Sequence, residues 1–253
     1  MPAMATAAPD LFAAVPETDY AVPAALLDRL QTPALVVYVD RVRDNVRRVL
    51  GYAGGAERWR PHLKTTKIPE VWAELLAAGL RHFKCATTRE AAVFAEVAAT
   101  AGAAADLLVA YPHRGPALRR LGELLPRAPA LAMSVLVEDP AVLADVPPAL
   151  GVFVDVDLGM RRTGVPVAEG DAIAALARAA GPRFRGLHAY DGHQHAPDLA
   201  ARRAAIFAGY ERLLALAGRL EAAGTPPAKL LTAGTPAFRH ALAFPGFPAA
   251  ARS

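Results

Sequence analysis

From residue 32 onward the chain alternates between short aliphatic, β-branched runs and longer alanine-rich amphipathic segments. The runs are apolar along nearly their whole length, so strands built from them would be buried on both faces. Such strands form a parallel sheet covered by helices. The pattern predicts strands at 34–39, 58–63, 82–87, 106–111, 131–137, 151–156, 184–190 and 229–234. It predicts helices near 41–53, 68–78, 88–101, 115–125, 139–145, 169–180 and 198–223, with Gly or Pro at most junctions. Eight strands alternating with seven helices point to an α/β fold of the (β/α)8 type, a TIM barrel, rather than a three-layer sandwich. No GxGxxG follows the first strand, which counts against a dinucleotide-binding doubly wound sheet. The expected organisation is an N-terminal arm, 1–31, and one barrel domain, 32–253.

Composition narrows the function classes. The chain of 253 residues is 54% hydrophobic and 21% charged, which fits a single sizeable core. Its net charge of +4 is scattered along helices, so it favours a small anionic ligand over nucleic acid. The single cysteine, Cys85, excludes an intramolecular disulfide and suits a reducing cytoplasm. No run reaches the ~18 apolar residues that read as a membrane span, and the first residues lack a basic stretch and carry Asp10, unlike a signal peptide.

A barrel of this kind keeps its chemistry where strands end and loops begin. Those points here read "HLKTTK", "CATTRE", "YPHRG", "DVDLGMRRTG", "HAYDGHQH" and "TAGTP". Lys64 at such a rim is a candidate amine nucleophile, because burial and neighbouring cations favour the neutral form. Arg162 offers a planar fork for a carboxylate or phenolate, or else an ion pair to Asp157. Tyr190 suits stacking on a flat ring, or a core role with its hydroxyl satisfied. "TAGTP", with Gly234 and Thr235, is a small-residue turn whose backbone N–H groups and hydroxyl suit a phosphate. His193 and His195 form an H-x-H pair that would share one face of an extended segment. Two histidines do not complete a metal site, so no metal ligands are assigned and proton transfer is the better reading. Asp155 and Asp157 are read as orienting neighbouring arginines, Cys85 as a small core residue, and Lys67 as a solvated charge or helix-entry contact.

Taken in order, "TPALVVYVDRVRDNV", "RPHLKTTKIPE", "FKCATTREA", "FVDVDLGMRRTGVP", "GLHAYDGHQH" and "TAGTPAF" resemble the D-threonine aldolase/D-serine dehydratase-like branch of the fold-type III pyridoxal phosphate (PLP) enzymes. Their barrel is shared with alanine racemase, and the resemblance covers roughly residues 32 to 246. It implies a PLP enzyme acting on a D-amino acid as an aldolase-like C–C lyase or a dehydratase. A non-catalytic PLP-binding protein and an inactive remnant are the other readings. The resemblance implies that Lys64 holds PLP as an aldimine, that Arg162 lies near its phenolic oxygen, Tyr190 against its ring, and Gly234 and Thr235 near its phosphate. It makes His193 a proton-transfer group at the substrate. It implies that 34–39 pairs within a C-terminal β-domain, and that the barrel's last strand and that domain lie outside this sequence. The divalent metal of the lyases, Mn or Zn, would be bound by that domain. A homodimer is the candidate assembly, with no nucleic-acid or membrane partner.

Overall fold

The computed structural model describes residues 21–247. Among them run β1 (His82–Cys85), β2 (Ala105–Val109), β3 (Leu131–Val137), β4 (Gly151–Asp157), β5 (Val165–Pro166), β6 (Phe184–Ala189) and β7 (Lys229–Thr232). All pair in parallel, in the order β1-β2-β3-β4-β6-β7, with the short β5 attached to the end of β4. Helices α2 (Val39–Ala53), α3 (Pro69–Ala77), α4 (Thr88–Thr100), α5 (Pro116–Leu124), α6 (Pro140–Asp145), α7 (Gly170–Ala180) and α8 (Leu199–Ala222) alternate with them. One turn, α1 (Ala24–Leu27), comes first, and α9 (Phe238–Ala243) follows β7. The fold is the expected (β/α) barrel with its wall left open. Among the described residues, β7 has no strand on its outer side.

Two predicted strands do not form. Residues 34–38 lie outside any ladder, and Val39 already belongs to α2. Leu35 is 82% exposed, and Val36, Val37 and Val39 are exposed with it. A continuous apolar run becomes a strand only when a neighbour takes its backbone hydrogen bonds, and none of the described residues pairs with it. Residues 58–63 give a single parallel bridge, His62 to Lys84, between two short 3-10 turns. Pro61 accepts the Lys84 N–H at 2.9 Å but has no N–H to return, so the ladder stops there. Much of the expected arm, residues 1–20, lies outside the described residues.

Local chemistry sets the remaining boundaries. Thr87 Oγ1 accepts the Glu90 N–H at 3.1 Å, and Glu90 turns back to accept the Ala86 N–H at 2.7 Å, closing the start of α4. Asp139 and Asp198 cap α6 and α8 by accepting N–H groups two and three residues on. In α8 the buried positions Ile206, Tyr210, Leu213, Leu216 and Leu220 recur every three or four residues, so one stripe packs on the barrel.

The outer faces of the strands bury Phe83, Leu107, Val135 and Val154 against the helices. A second, smaller cluster of Leu108, Ala110, Leu136, Phe153 and Leu231 fills the barrel interior. Below it lies an ionic floor. Arg60 and Lys229 both donate to Asp106 Oδ2 at 2.8 Å, and His82 Nδ1 stands 3.4 Å from the same oxygen. Burial opposes the Asp106 charge, but hydrogen bonds from His82, Arg60 and Lys229 outweigh it and hold the carboxyl far below its usual range. This floor ties the segment before β1 to β7, the two edges of the open sheet, through one carboxylate on β2.

Candidate active site

Lys64 ends the segment that runs beside β1. Leu63, 1% exposed, anchors the turn in the core, while Lys64 stays exposed at the rim. His62 caps the turn: its Nδ1 accepts the Lys64 N–H at 3.3 Å, and its carbonyl accepts the Thr65 hydroxyl at 2.9 Å. Burial, reinforced by Lys84 and Lys64, pulls the His62 pKa down to about 3, so this ring is neutral at physiological pH. Lys67 turns away, with φ +54° and its Nζ 3.6 Å from Glu90, the helix-entry contact expected of it.

A cavity of about 410 Å³ opens at this rim. Lys64, Tyr190, Gly234 and Thr235 all line it, joined by His62 and Lys84. Its size is that of a small-molecule site. Tyr190 is wedged between two glycines. A Cβ on Gly192 would lie 2.3 Å from its ring, and one on Gly234 would lie 2.8 Å from it. The Gly234 N–H is donated to Asp191 Oδ1 at 2.7 Å, so that glycine contributes close approach rather than a free donor. Asp191, 2% exposed, also accepts the Tyr210 hydroxyl at 2.6 Å, which braces the turn against α8. Ala233, with φ +70°, sets the turn's direction. Thr235 makes no hydrogen bond to a described residue, which leaves its N–H and hydroxyl available to a ligand.

Arg162 stands just outside this cavity. Its guanidinium lies over the Tyr190 ring, 4.9 Å from the centroid, and it lines an adjoining cleft with Arg114 and Glu138. It does not pair with Asp157. That carboxylate accepts the N–H groups of Gly159 at 2.8 Å and Arg161 at 3.1 Å, closing the loop after β4. Asp155 likewise holds no arginine: its Oδ1 is 2.7 Å from His188 Nδ1, both side chains being buried. The aspartates therefore do not orient arginines as expected. A carboxylate near a strand's end found a closer partner in backbone N–H groups and in the facing histidine of β6.

His193 and His195 do not share a strand face. They occupy a turn after β6, closed by Gln194 N–H to the Asp191 carbonyl at 2.9 Å. His193 Nε2 is 2.9 Å from the Gln194 amide, its Nδ1 is buried without a partner, and the ring does not line the cavity. Among the described residues, no group of three or more His, Cys, Asp or Glu is placed to hold a metal. Cys85 is fully buried, and burial pushes its thiol well above the usual range, consistent with a core role.

Lys84 was not singled out by sequence reasoning. It is 9% exposed, and it lines the cavity beside His62. Burial, with Arg60 adding repulsion, lowers its pKa from 10.5 to about 8. The signal was present in "HFKC". Phe83 and Cys85 face the helices, so period 2 turns His82 and Lys84 inward.

A parallel half-barrel thus brings a rim lysine, a glycine-held tyrosine and an open threonine turn to one cavity. Residues 37–245 match the family described as alanine racemase, N-terminal domain, and the chain belongs to it. That is the barrel of the fold-type III PLP enzymes. The chain is 32% identical to 3-hydroxy-D-aspartate aldolase of Paracoccus denitrificans (strain Pd 1222), over 81% of this chain and 55% of that protein. It is 30% identical to D-threo-3-hydroxyaspartate dehydratase of Delftia sp. (strain HT23), over 82% and 56% respectively. The crystal structure of D-threonine aldolase from Filomicrobium marinum matches with a TM-score of 0.71 and 29% identity, covering 85% of this chain and 59% of that one. The chain thus spans about half the length of the curated relatives it matches.

Proposed function

We propose that this chain is the barrel of a PLP-dependent lyase acting on β-hydroxy-D-amino acids, aldolase-like or dehydratase-like. The observation that carries the reading is the meeting of Lys64, Tyr190 and Thr235 in one cavity at the barrel rim. The residues present fit the cofactor. Lys64 Nζ would hold its aldehyde carbon, Thr235 its phosphate and Tyr190 its ring. Arg162 would meet its phenolic oxygen or the substrate carboxylate. PLP, when bound, supplies an electron sink for the pair released as a bond at Cα breaks.

The chain's own residues divide the remaining work. Lys64 Nζ, at the cavity rim, would move the proton at Cα. His193, in the turn after β6 that follows Tyr190, is the proposed second proton carrier at the substrate; in this fold its ring lies outside the cavity lining and its unpartnered Nδ1 is buried. Asp191 keeps Tyr190 and the Thr235 turn in register by holding Gly234. The names of the relatives support a substrate with a D-configured Cα and a β-hydroxyl. A cytoplasmic setting suits the single buried thiol.

Titration with PLP, followed by assays of D-threonine and 3-hydroxy-D-aspartate, tests the reading. Saturable visible absorbance and release of glycine, or of ammonia with a keto acid, are expected. A chain that takes up no PLP would overturn it. Arg162→Lys keeps the charge but loses the planar fork, so kcat/KM is expected to fall by roughly tenfold or more. An unchanged kcat/KM and PLP affinity would remove Arg162 from the site.

A further inference from the structure

Besides the exposed Lys64, the cavity is lined by a buried lysine for which the described residues supply no counter-charge. The Lys84 side chain makes no hydrogen bond or ion pair with any described residue, although the residue is nine-tenths buried. The carboxylates nearest in effect, Asp191 and Asp155, are committed elsewhere, to Tyr210 and Gly234 and to His188. Arg60, below it, is matched by Asp106. No aspartate or glutamate among the described residues lines the cavity. A buried ammonium left in this state costs stability, and an apolar side chain of similar length would relieve that cost. A group from outside that brings negative charge into the cavity would relieve the same cost.

A second donor stands beside it. His62 and Lys84 are paired across the strand bridge, so their side chains leave the sheet on the same face. Because His62 Nδ1 accepts the Lys64 N–H, the proton of the neutral ring sits on Nε2. The pair thus presents an ammonium and a ring N–H to one cavity, away from the Thr235 turn in the chain and on the opposite edge of the open sheet.

We propose that Lys84 and His62 form an oxyanion-binding subsite in this cavity, taking a carboxylate or phosphate group of the bound molecule. For the identity of that molecule the proposal rests on the functional reading above; the subsite itself does not need PLP. A carboxylate source would make a dicarboxylic β-hydroxy-D-amino acid the preferred substrate class, because its distal acid would meet Lys84. A phosphate source would make Lys84 a second anchor for the cofactor.

The test uses the chain without PLP. Thermal stabilisation is measured against rising succinate, and separately inorganic phosphate, with sodium chloride at matched ionic strength as control. Wild type, Lys84→Met, Lys84→Arg and Thr235→Ala are compared. Lys84→Met is expected to weaken binding of at least one anion by roughly tenfold or more, the loss of a charge-assisted hydrogen bond. Lys84→Arg, which keeps the charge, is expected to retain it. Loss for succinate, with phosphate depending on Thr235 instead, assigns the subsite to a carboxylate. Loss for phosphate alone assigns it to the cofactor's phosphate. Equal affinities for both anions in wild type and Lys84→Met would overturn the proposal. Since PLP is absent from the assay, that result would leave the cofactor reading standing, and a chain that binds anions through Lys84 but no PLP would do the reverse.

Discussion

Asp106→Ala is expected to destabilise the fold by about 3–5 kcal/mol, the range for removing one partner of a buried ionic group. Arg60, only 8% exposed, would keep its charge and lose its carboxylate, and Lys229 would lose the same oxygen. The loss is large because the whole stability of a domain is about 5–15 kcal/mol. It also has a geometric side. Arg60 precedes the rim lysine and Lys229 begins β7, so Asp106 holds together the two edges between which the cavity opens. Urea unfolding measures the effect. The pH dependence gives a second check. A carboxyl with a depressed folded pKa stabilises the protein above its ordinary value, near 3.9, and loses that contribution as pH falls toward the folded value. Wild type should therefore lose stability on acidification faster than Asp106→Asn, and the gap between them should close at low pH. Parallel profiles would show that the floor contributes nothing.

Lys64→Ala is expected to abolish covalent capture of PLP and all turnover, while changing stability by no more than about 0.5 kcal/mol. The contrast with Asp106 follows from position. Lys64 is exposed at the rim and its side chain makes no hydrogen bond or ion pair with a described residue, so the fold does not depend on it. Visible absorbance during PLP titration and a denaturation curve, taken on the same preparation, separate the two effects. Retained absorbance would move the covalent role to another lysine.

Much of the fold was legible because it follows from periodicity. The strand at 131–137 and the helices from α3 to α8 lie within a residue or two of their predicted bounds. What failed were the two segments whose strand character depends on partners. Residues 34–39 are apolar enough for a strand, yet a strand exists only in a ladder, and sequence does not show whether a ladder is at hand. Pro61 was visible in the sequence, and its missing N–H is the reason that 58–63 gives one bridge and not a strand.

The rim lysine, tyrosine and threonine turn picked out from the sequence converge on one cavity. The supporting charges were not legible there. That Asp155 faces His188 depends on the register of β4 on β6, and that Asp106 reaches both Arg60 and Lys229 depends on the curvature of the sheet, at separations of up to 123 residues. Lys84 was readable in principle from two-residue alternation within "HFKC", but a lysine in a short strand reads first as a surface charge.

Borohydride reduction of the PLP-loaded chain, followed by peptide mapping, tests the assignment of Lys64 most directly. Reduction fixes the cofactor to whichever amine holds it. The phosphopyridoxyl label is expected on the peptide that contains Lys64, and to be absent from Lys64→Ala. A label on Lys84 or Lys67 in the wild-type chain, or none at all under saturating PLP, would contradict it.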